Sequence, residues 1–253
     1  MMRALWTSLL LALVATLAPA AGAALVSDLS HTEVKVSYRY EGETLLVFGS
    51  LPEPGGHVVV EVRGPAKART IQRKGQVMGV LWMNVEDLTI QDFPGYYALL
   101  SDAPVAEFLG PAERNRLGLG RDALFAAAEY RGDPAQAAPR DYFDGLLRHM
   151  TDAGLYQEKP GAVRIKQDRL FRAELRMPSR APVGEYAIVV RQVKDGSVVH
   201  RDTQTLTVAK TGIEKWLYDL AYDHPAWYGV MAVLVALFAG WFVGMITRGE
   251  AEH

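Results

Sequence analysis

The chain has 253 residues, 49% of them hydrophobic, a formal net charge of −2 and no cysteine. That length holds one large or two small domains with a sizeable core, and the missing thiols exclude a disulfide-stapled module, a thiolate zinc site, an iron–sulfur cluster and a cysteine nucleophile. With 27 basic against 29 acidic residues no sign dominates, so there is no electrostatic footprint for a nucleic-acid partner.

Residues 1–23 read as a cleaved signal peptide: Arg3 supplies the basic start, an apolar run follows from Ala4 to Ala18, and Ala21-Gly22-Ala23 is an A-x-A site. The run is shorter than the roughly 20 residues a hydrocarbon core requires, which argues against a permanent N-terminal anchor. Cleavage removes one arginine and no acid, leaving 26 basic and 29 acidic residues.

From His31 the apolar period is two. Val34, Val36, Tyr38 and Tyr40 alternate with polar neighbours, and Thr44 to Gly49 and His57 to Arg63 follow as strands with one buried face. Glu41-Gly42-Glu43 and Pro52 to Gly56 supply turns. Further strands are expected at Ala68 to Arg73, Val77 to Val85, Leu88 to Ile90 and Tyr96 to Leu100.

Between about 103 and 160 the alternation gives way to helical spacing. Pro104 to Leu109, Arg121 to Tyr130 and Arg140 to Leu155 read as helices, the last with a stripe of Tyr142, Phe143, Leu146, Leu147 and Met150. Gly132-Asp133-Pro134 and Ala138-Pro139 separate them. Strands resume at Val163 to Lys166, Leu170 to Leu175, Glu185 to Val193 and Val198 to Val208, with Lys194-Asp195-Gly196 as a hairpin turn. Pro182 to Tyr186 reads like the corner before the penultimate strand of an immunoglobulin-like sandwich. The expected fold is therefore mainly β: an immunoglobulin-like antiparallel β-sandwich over residues 24–210 with a helical insertion, followed by one C-terminal transmembrane helix. Spacing alone leaves open whether the insertion divides one sandwich or separates two small ones.

Ile213, Trp216, Leu217, Leu220 and Ala221 fall at helical spacing, so residues 211–224 read as an amphipathic juxtamembrane helix that docks the domain close to the bilayer without a flexible stalk. Trp227 to Ile246 holds twenty residues without a charge, and a transmembrane helix is expected over 225–247, with Asp223 or His224 as cap and Pro225 in its first turn. Trp216, Tyr218, Tyr222, Trp227 and Tyr228 gather where rings settle among headgroups. A signal peptide followed by a late stop-transfer helix exports the domain and leaves 248–253 in the cytosol, with Arg248 inside and Asp219 and Asp223 outside. Neither Asn84 nor Asn115 begins a glycosylation sequon, and nineteen arginines against eight lysines suit a GC-rich bacterial genome; the expected location is a bacterial inner membrane with a periplasmic domain.

Chemistry is sparse in this pattern. The six histidines show no metal-binding spacing, and Asp141, Asp144, His149 and Asp152 read as a solvated helix face with an Asp144–Arg148 pair. Leu117 to Asp122 precedes a helix but lacks the strand and third glycine of a phosphate loop, which leaves a plain loop with Asp122 as cap. No catalytic, cofactor or metal residue is assigned, and a non-enzymatic protein is expected. Arg63, Lys67, Arg69, Arg73 and Lys74, on one expected hairpin, could contact an anion or anionic headgroups; the plainer reading is protection of an exposed edge strand. Ala232, Ala236, Gly240 and Gly244 repeat every four residues and form a ridge of small side chains suited to a helix–helix interface.

Thr44 to Gly49, Val58 to Pro65, Leu81-Trp82-Met83-Asn84, Phe93 to Ala98, Leu170-Phe171-Arg172, Pro182 to Tyr186, Tyr218-Asp219 and Asp223-His224-Pro225 together resemble the alphaproteobacterial putative transmembrane protein family. The resemblance spans nearly all of the chain after the signal segment and carries no catalytic signature. It implies a single-pass inner-membrane protein of unestablished activity, and it points to a sulfite-exporter-type permease as the neighbour. The expected partners are the lipid bilayer and another integral membrane protein, or a second copy, met through the transmembrane helix. The resulting expectation is an accessory subunit of a permease; the alternative is a membrane-anchored module that binds a small anion.

Overall fold

The structure is a computed structural model and describes residues 24–37, 40–77, 80–132, 138–210 and 213–247. The expected signal peptide, Tyr38, Asp133-Pro134 and the expected cytosolic tail lie outside the described residues.

Thirteen strands and six helices are described in chain order. The first strands are β1 (Val26–Leu29), β2 (Glu33–Val36), β3 (Gly42–Ser50), β4 (His57–Arg63), β5 (Ala66–Val77), β6 (Leu81–Pro94) and β7 (Tyr97–Ser101). Then come α1 (Val105–Phe108), α2 (Pro111–Leu117), α3 (Arg121–Ala127), β8 (Glu129–Arg131), α4 (Pro139–Asp152) and β9 (Tyr156–Pro160). β10 (Val163–Lys166), β11 (Leu170–Pro178), β12 (Gly184–Lys194) and β13 (Ser197–Lys210) complete the β structure, and α5 (Ile213–Asp223) and α6 (Pro225–Thr247) close the chain.

One sheet runs β1-β3-β11-β10, a second β2-β13-β12-β4-β7-β9, and a third β5-β6-β8. The first two face each other, and strands from both halves of the chain share each of them: β3 pairs with β11, and β4 with β12. The β region is therefore one sandwich. The pairing is antiparallel except at the two margins of the second sheet, where β2 runs parallel to β13 and β9 parallel to β7.

Alternation explains the first sheet. Along β11, Phe171, Ala173, Leu175 and Met177 are buried while Arg172, Glu174 and Arg176 face solvent, as period-two burial against one layer requires. Leu45 and Val47 of β3 meet them, with Val58, Val60, Val62, Ile188 and Val190 across the interface. Gly49 is small because a Cβ there would lie 2.1 Å from the Val26 carbonyl oxygen and 2.7 Å from the Phe171 ring.

The second sheet departs from the one-face expectation. β4 and β7 are buried on both faces, because α1 to α4 cover the sheet's outer side through Val59, Tyr97, Leu99, Leu119, Leu124, Phe143 and Leu147. The unbroken run Val58-Val59-Val60 carries that signal, since a strand covered twice loses its polar alternation. The insertion is also not purely helical: Glu129 to Arg131 pairs antiparallel with β6 as β8, and Tyr156 to Pro160 becomes the outer strand β9. Val77 to Val85 and Leu88 to Ile90, expected as separate strands, do not stand apart: Leu81 to Val85 and Leu88 to Ile90 lie on the single strand β6, which pairs antiparallel with β5 from the Val77–Leu81 rung to the Ala66–Pro94 rung, and Met78 and Gly79 lie outside the described residues.

Two polar devices fix the sandwich. Tyr186 Oη donates to the Pro182 carbonyl at 2.6 Å, the local bond of a tyrosine corner. At the margin, Asp202 of β13 accepts the Ser27 N–H and Oγ–H of β1, both at 2.7 Å, which clasps one sheet to the other. Burial opposes the charge on Asp202, but these bonds, with those from Gln204 and Thr203, outweigh it and hold the carboxyl below the usual aspartate value.

Two outcomes are expected for the full chain in detergent, read by urea unfolding. Tyr186→Phe lowers stability by about 1 kcal/mol, the worth of one such bond. Because the folded Asp202 pKa lies below its unfolded value, its contribution is complete above about pH 4 and is lost as pH falls through the folded value. Asp202→Asn therefore costs about 2 kcal/mol at pH 7 and flattens the loss of stability between pH 5 and pH 3.

Candidate functional site

The apolar segment forms α6, whose 23 residues rise about 35 Å and match a hydrocarbon core. Pro225 to Met245 is long and apolar enough to cross a membrane. Ala232, Ala236, Gly240 and Gly244 all lie on its exposed surface, and a Cβ built at Gly240 meets nothing within 4 Å. The preceding α5 joins it almost without interruption. His224 N–H donates to the Leu220 carbonyl at 3.2 Å and Tyr228 N–H to the His224 carbonyl at 3.1 Å, so the helical ladder continues on either side of Pro225, which has no N–H to lose. Trp216, Leu217, Tyr218 and Tyr222 are exposed on α5, with the two tyrosine rings 4.4 Å apart.

The five basic residues read as one anion contact occupy different settings. Arg63 belongs to β4, where its Nε donates to Glu61 Oε1 at 2.6 Å and its Nη2 to the Gly118 carbonyl at 2.7 Å. Lys67, Arg69, Arg73 and Lys74 lie on β5, the outer strand of its sheet. Arg73 Nη1 is 3.6 Å from Glu86, and among the described residues no carboxylate pairs with Lys67, Arg69 or Lys74.

The strongest charge constellation lies elsewhere, beneath the helices. Glu61 is 2% exposed and Arg191 5% exposed, on neighbouring strands β4 and β12. Arg191 Nη2 reaches Glu61 Oε2 at 2.8 Å while Arg63 holds the other oxygen, so one buried carboxylate is shared by two guanidiniums. The Gly118 carbonyl that receives Arg63 ends α2, and the Gly120 N–H at the start of α3 donates to Tyr97 Oη at 2.9 Å. Burial raises the Tyr97 pKa, so the ring keeps its proton. Each charge stands inside an apolar run, Val58 to Val62 and Ile188 to Val193; their partnership depends on the β4–β12 register, which spacing does not reveal.

Other expectations resolve locally. Asp144 pairs with Arg121 at 2.6 Å and Arg140 at 3.5 Å instead of Arg148. Asp122 receives Arg140 at 2.6 Å, while the first N–H of α3 is capped by Glu158 Oε1 at 2.9 Å, so the cap comes from β9 and not from Asp122. His57 stacks on Phe108 with 4.2 Å between ring centroids, and its Nδ1 is 2.8 Å from Asp102. Among the described residues no group of three or more His, Asp or Glu side chains could hold a metal ion. An open cleft of about 820 Å³ lies between α4, β9 and β11, where Arg121, Lys159 and Arg176 alternate with Asp152 and Glu158.

Glu61→Gln is expected to cost about 3 kcal/mol or more, since it leaves Arg191 buried without a countercharge. Glu113→Gln, which breaks an exposed bond to Arg116 at 2.5 Å, is expected to leave the urea midpoint nearly unchanged, since solvent screens an exposed pair. Urea titration of the two variants side by side checks the contrast.

A comparison with curated proteins finds no match. Residues 24–249, which include the sandwich, the arginine-bound Glu61 and the apolar helix, match the family described as "Putative transmembrane protein (Alph_Pro_TM)", and the chain belongs to that family.

Proposed function

We propose that this protein is a non-enzymatic accessory subunit of a membrane permease, of the sulfite-exporter type to which the family resemblance points. In this reading α6 docks on the permease within the inner membrane, and the sandwich stands over the periplasmic mouth. The observation that carries it is the nearly continuous helix from α5 through α6. A partner that grips α6 thereby sets the position of α5 without a flexible stalk between them. The ridge of Ala232, Ala236, Gly240 and Gly244 supports the reading, because small side chains let two helix backbones approach closely. The signal segment and the short tail with Arg248 support an exported domain and a cytosolic C-terminus. The small-anion alternative is weaker, because Arg63 and Arg73 already face Glu61 and Glu86.

Affinity purification from native membranes in mild detergent tests the proposal. Gly240→Ile combined with Gly244→Ile is expected to reduce recovery of the permease about tenfold, the equivalent of about 1.4 kcal/mol of lost helix packing. Unchanged recovery of every integral membrane partner would sink it.

A further inference from the structure

β4 and β7 do not end where the sandwich ends. Beyond the Arg63–Tyr97 rung, Gly64 N–H donates to the Tyr96 carbonyl and Gly95 N–H to the Pro65 carbonyl, both at 2.9 Å, and the ladder continues as β5 and β6 to the Val77–Leu81 rung. The result is an arm of two strands. Its base is held by α4, through Phe143 against Phe93 at 5.8 Å and Tyr142 Oη donating to Glu86 at 2.6 Å. Past the Arg73–Glu86 rung no such support is found among the described residues, and four apolar side chains there face open solvent: Val80 is 84% exposed, Leu81 61%, Trp82 66% and Met83 47%.

The strand register states where the arm points. Arg63 pairs with Ala187 and Ala187 with Thr205, so the C-terminal ends of β4 and β13 lie at one end of the sheet. The arm leaves from that end, and so does the chain that leads through α5 to α6. Twelve residues of β5 span about 40 Å, whereas the eleven of α5 rise only about 16 Å.

We propose that Val80, Leu81, Trp82 and Met83 seat in the headgroup region of the same bilayer that receives α6. Three features favour a lipid surface over a protein groove. Side chains alternate along a strand, so Leu81 and Met83 occupy one face of the ladder and Trp82 the other, and both faces are exposed. A groove covers one face, whereas a fluid interface surrounds both. Tryptophan is a residue that settles at the membrane–water boundary, and Lys74, which pairs with no carboxylate among the described residues, stands near it opposite Asn84, where it can meet lipid phosphates. Among the described residues the outer edges of the distal arm are unpaired, since β8 covers only Thr89 to Gln91, so the backbone excludes deep insertion and confines the tip to the interface. With α6 as the first attachment, the tip is a second, and two points fix the tilt of the sandwich over the membrane.

The absence of cysteine makes the test direct. Met83→Cys in the full chain is labelled with an environment-sensitive fluorophore and reconstituted into phosphatidylcholine–phosphatidylglycerol vesicles carrying shallow spin-labelled lipids. Ser197→Cys, at the opposite end of the sheet, serves as the reference. The expected result is a blue-shifted emission at residue 83, quenched by the lipid label and shielded from aqueous iodide, with neither effect at residue 197. Adding Leu81→Ser and Trp82→Ser, both exposed and dispensable to the core, is expected to abolish the lipid quenching. Emission at residue 83 that matches residue 197 overturns the proposal. A blue shift without lipid quenching that grows with protein-to-lipid ratio also overturns it, in favour of contact with a second copy.

Discussion

A carboxylate taken out of water must find its countercharge nearby, and in this protein Glu61 finds two. Arg191 and Arg63 divide its oxygens on the outer face of the six-stranded sheet. Arg63 also donates from Nη2 to the Gly118 carbonyl, which ties the helical insertion to the sheet. Burial of such a network is weak as a source of net stability, since desolvation cancels most of the attraction; its value lies in permitting few arrangements. An insertion that slides would expose an apolar sheet face and strip Arg63 of its acceptor. The sheet is thereby a middle layer, with the sandwich core on one side and a helix-packed core on the other.

The middle layer also sends out the two projections that matter at the membrane. β13 continues toward α5 and α6, and β4 with β7 continues into the β5–β6 arm. α4 has two tasks: its buried stripe closes the outer face of the sheet and also braces the root of the arm. A rigid root with an unsupported apolar tip is a lever, and its direction is inherited from the strand register. The basic side chains along β5 thus stand on an outer strand between root and tip, where charge discourages pairing with other chains and does not interfere with the apolar end.

Most strand positions were legible because each needed only local information. Phe171 to Met177 alternates cleanly, the Asp195-Gly196 turn carries positive φ at both residues, and the Pro182 to Tyr186 corner includes its own bond. The short helix α2 and the strand β1 were harder: the first has no buried residue to create a stripe, and the second is four residues paired only to β3 within its sheet. The candidate sites were less legible than the fold. Arg63 reads as part of a basic hairpin until the β4–β12 pairing brings Arg191 to Glu61. Val80 to Met83 reads as an ordinary strand until the lack of any layer above or below it is known.

Composition and spacing by themselves determined the mainly β character, the long apolar C-terminal helix and the absence of thiol chemistry, because these depend on residue type and period alone. Tertiary structure decided the rest: one sandwich instead of two, a second sheet buried on both faces, the partners of Glu61, the Asp202 clasp and the direction of the arm. Each of these is a relation between strands far apart in sequence, and pairing partners are chosen by the packing of whole layers, which no local period encodes.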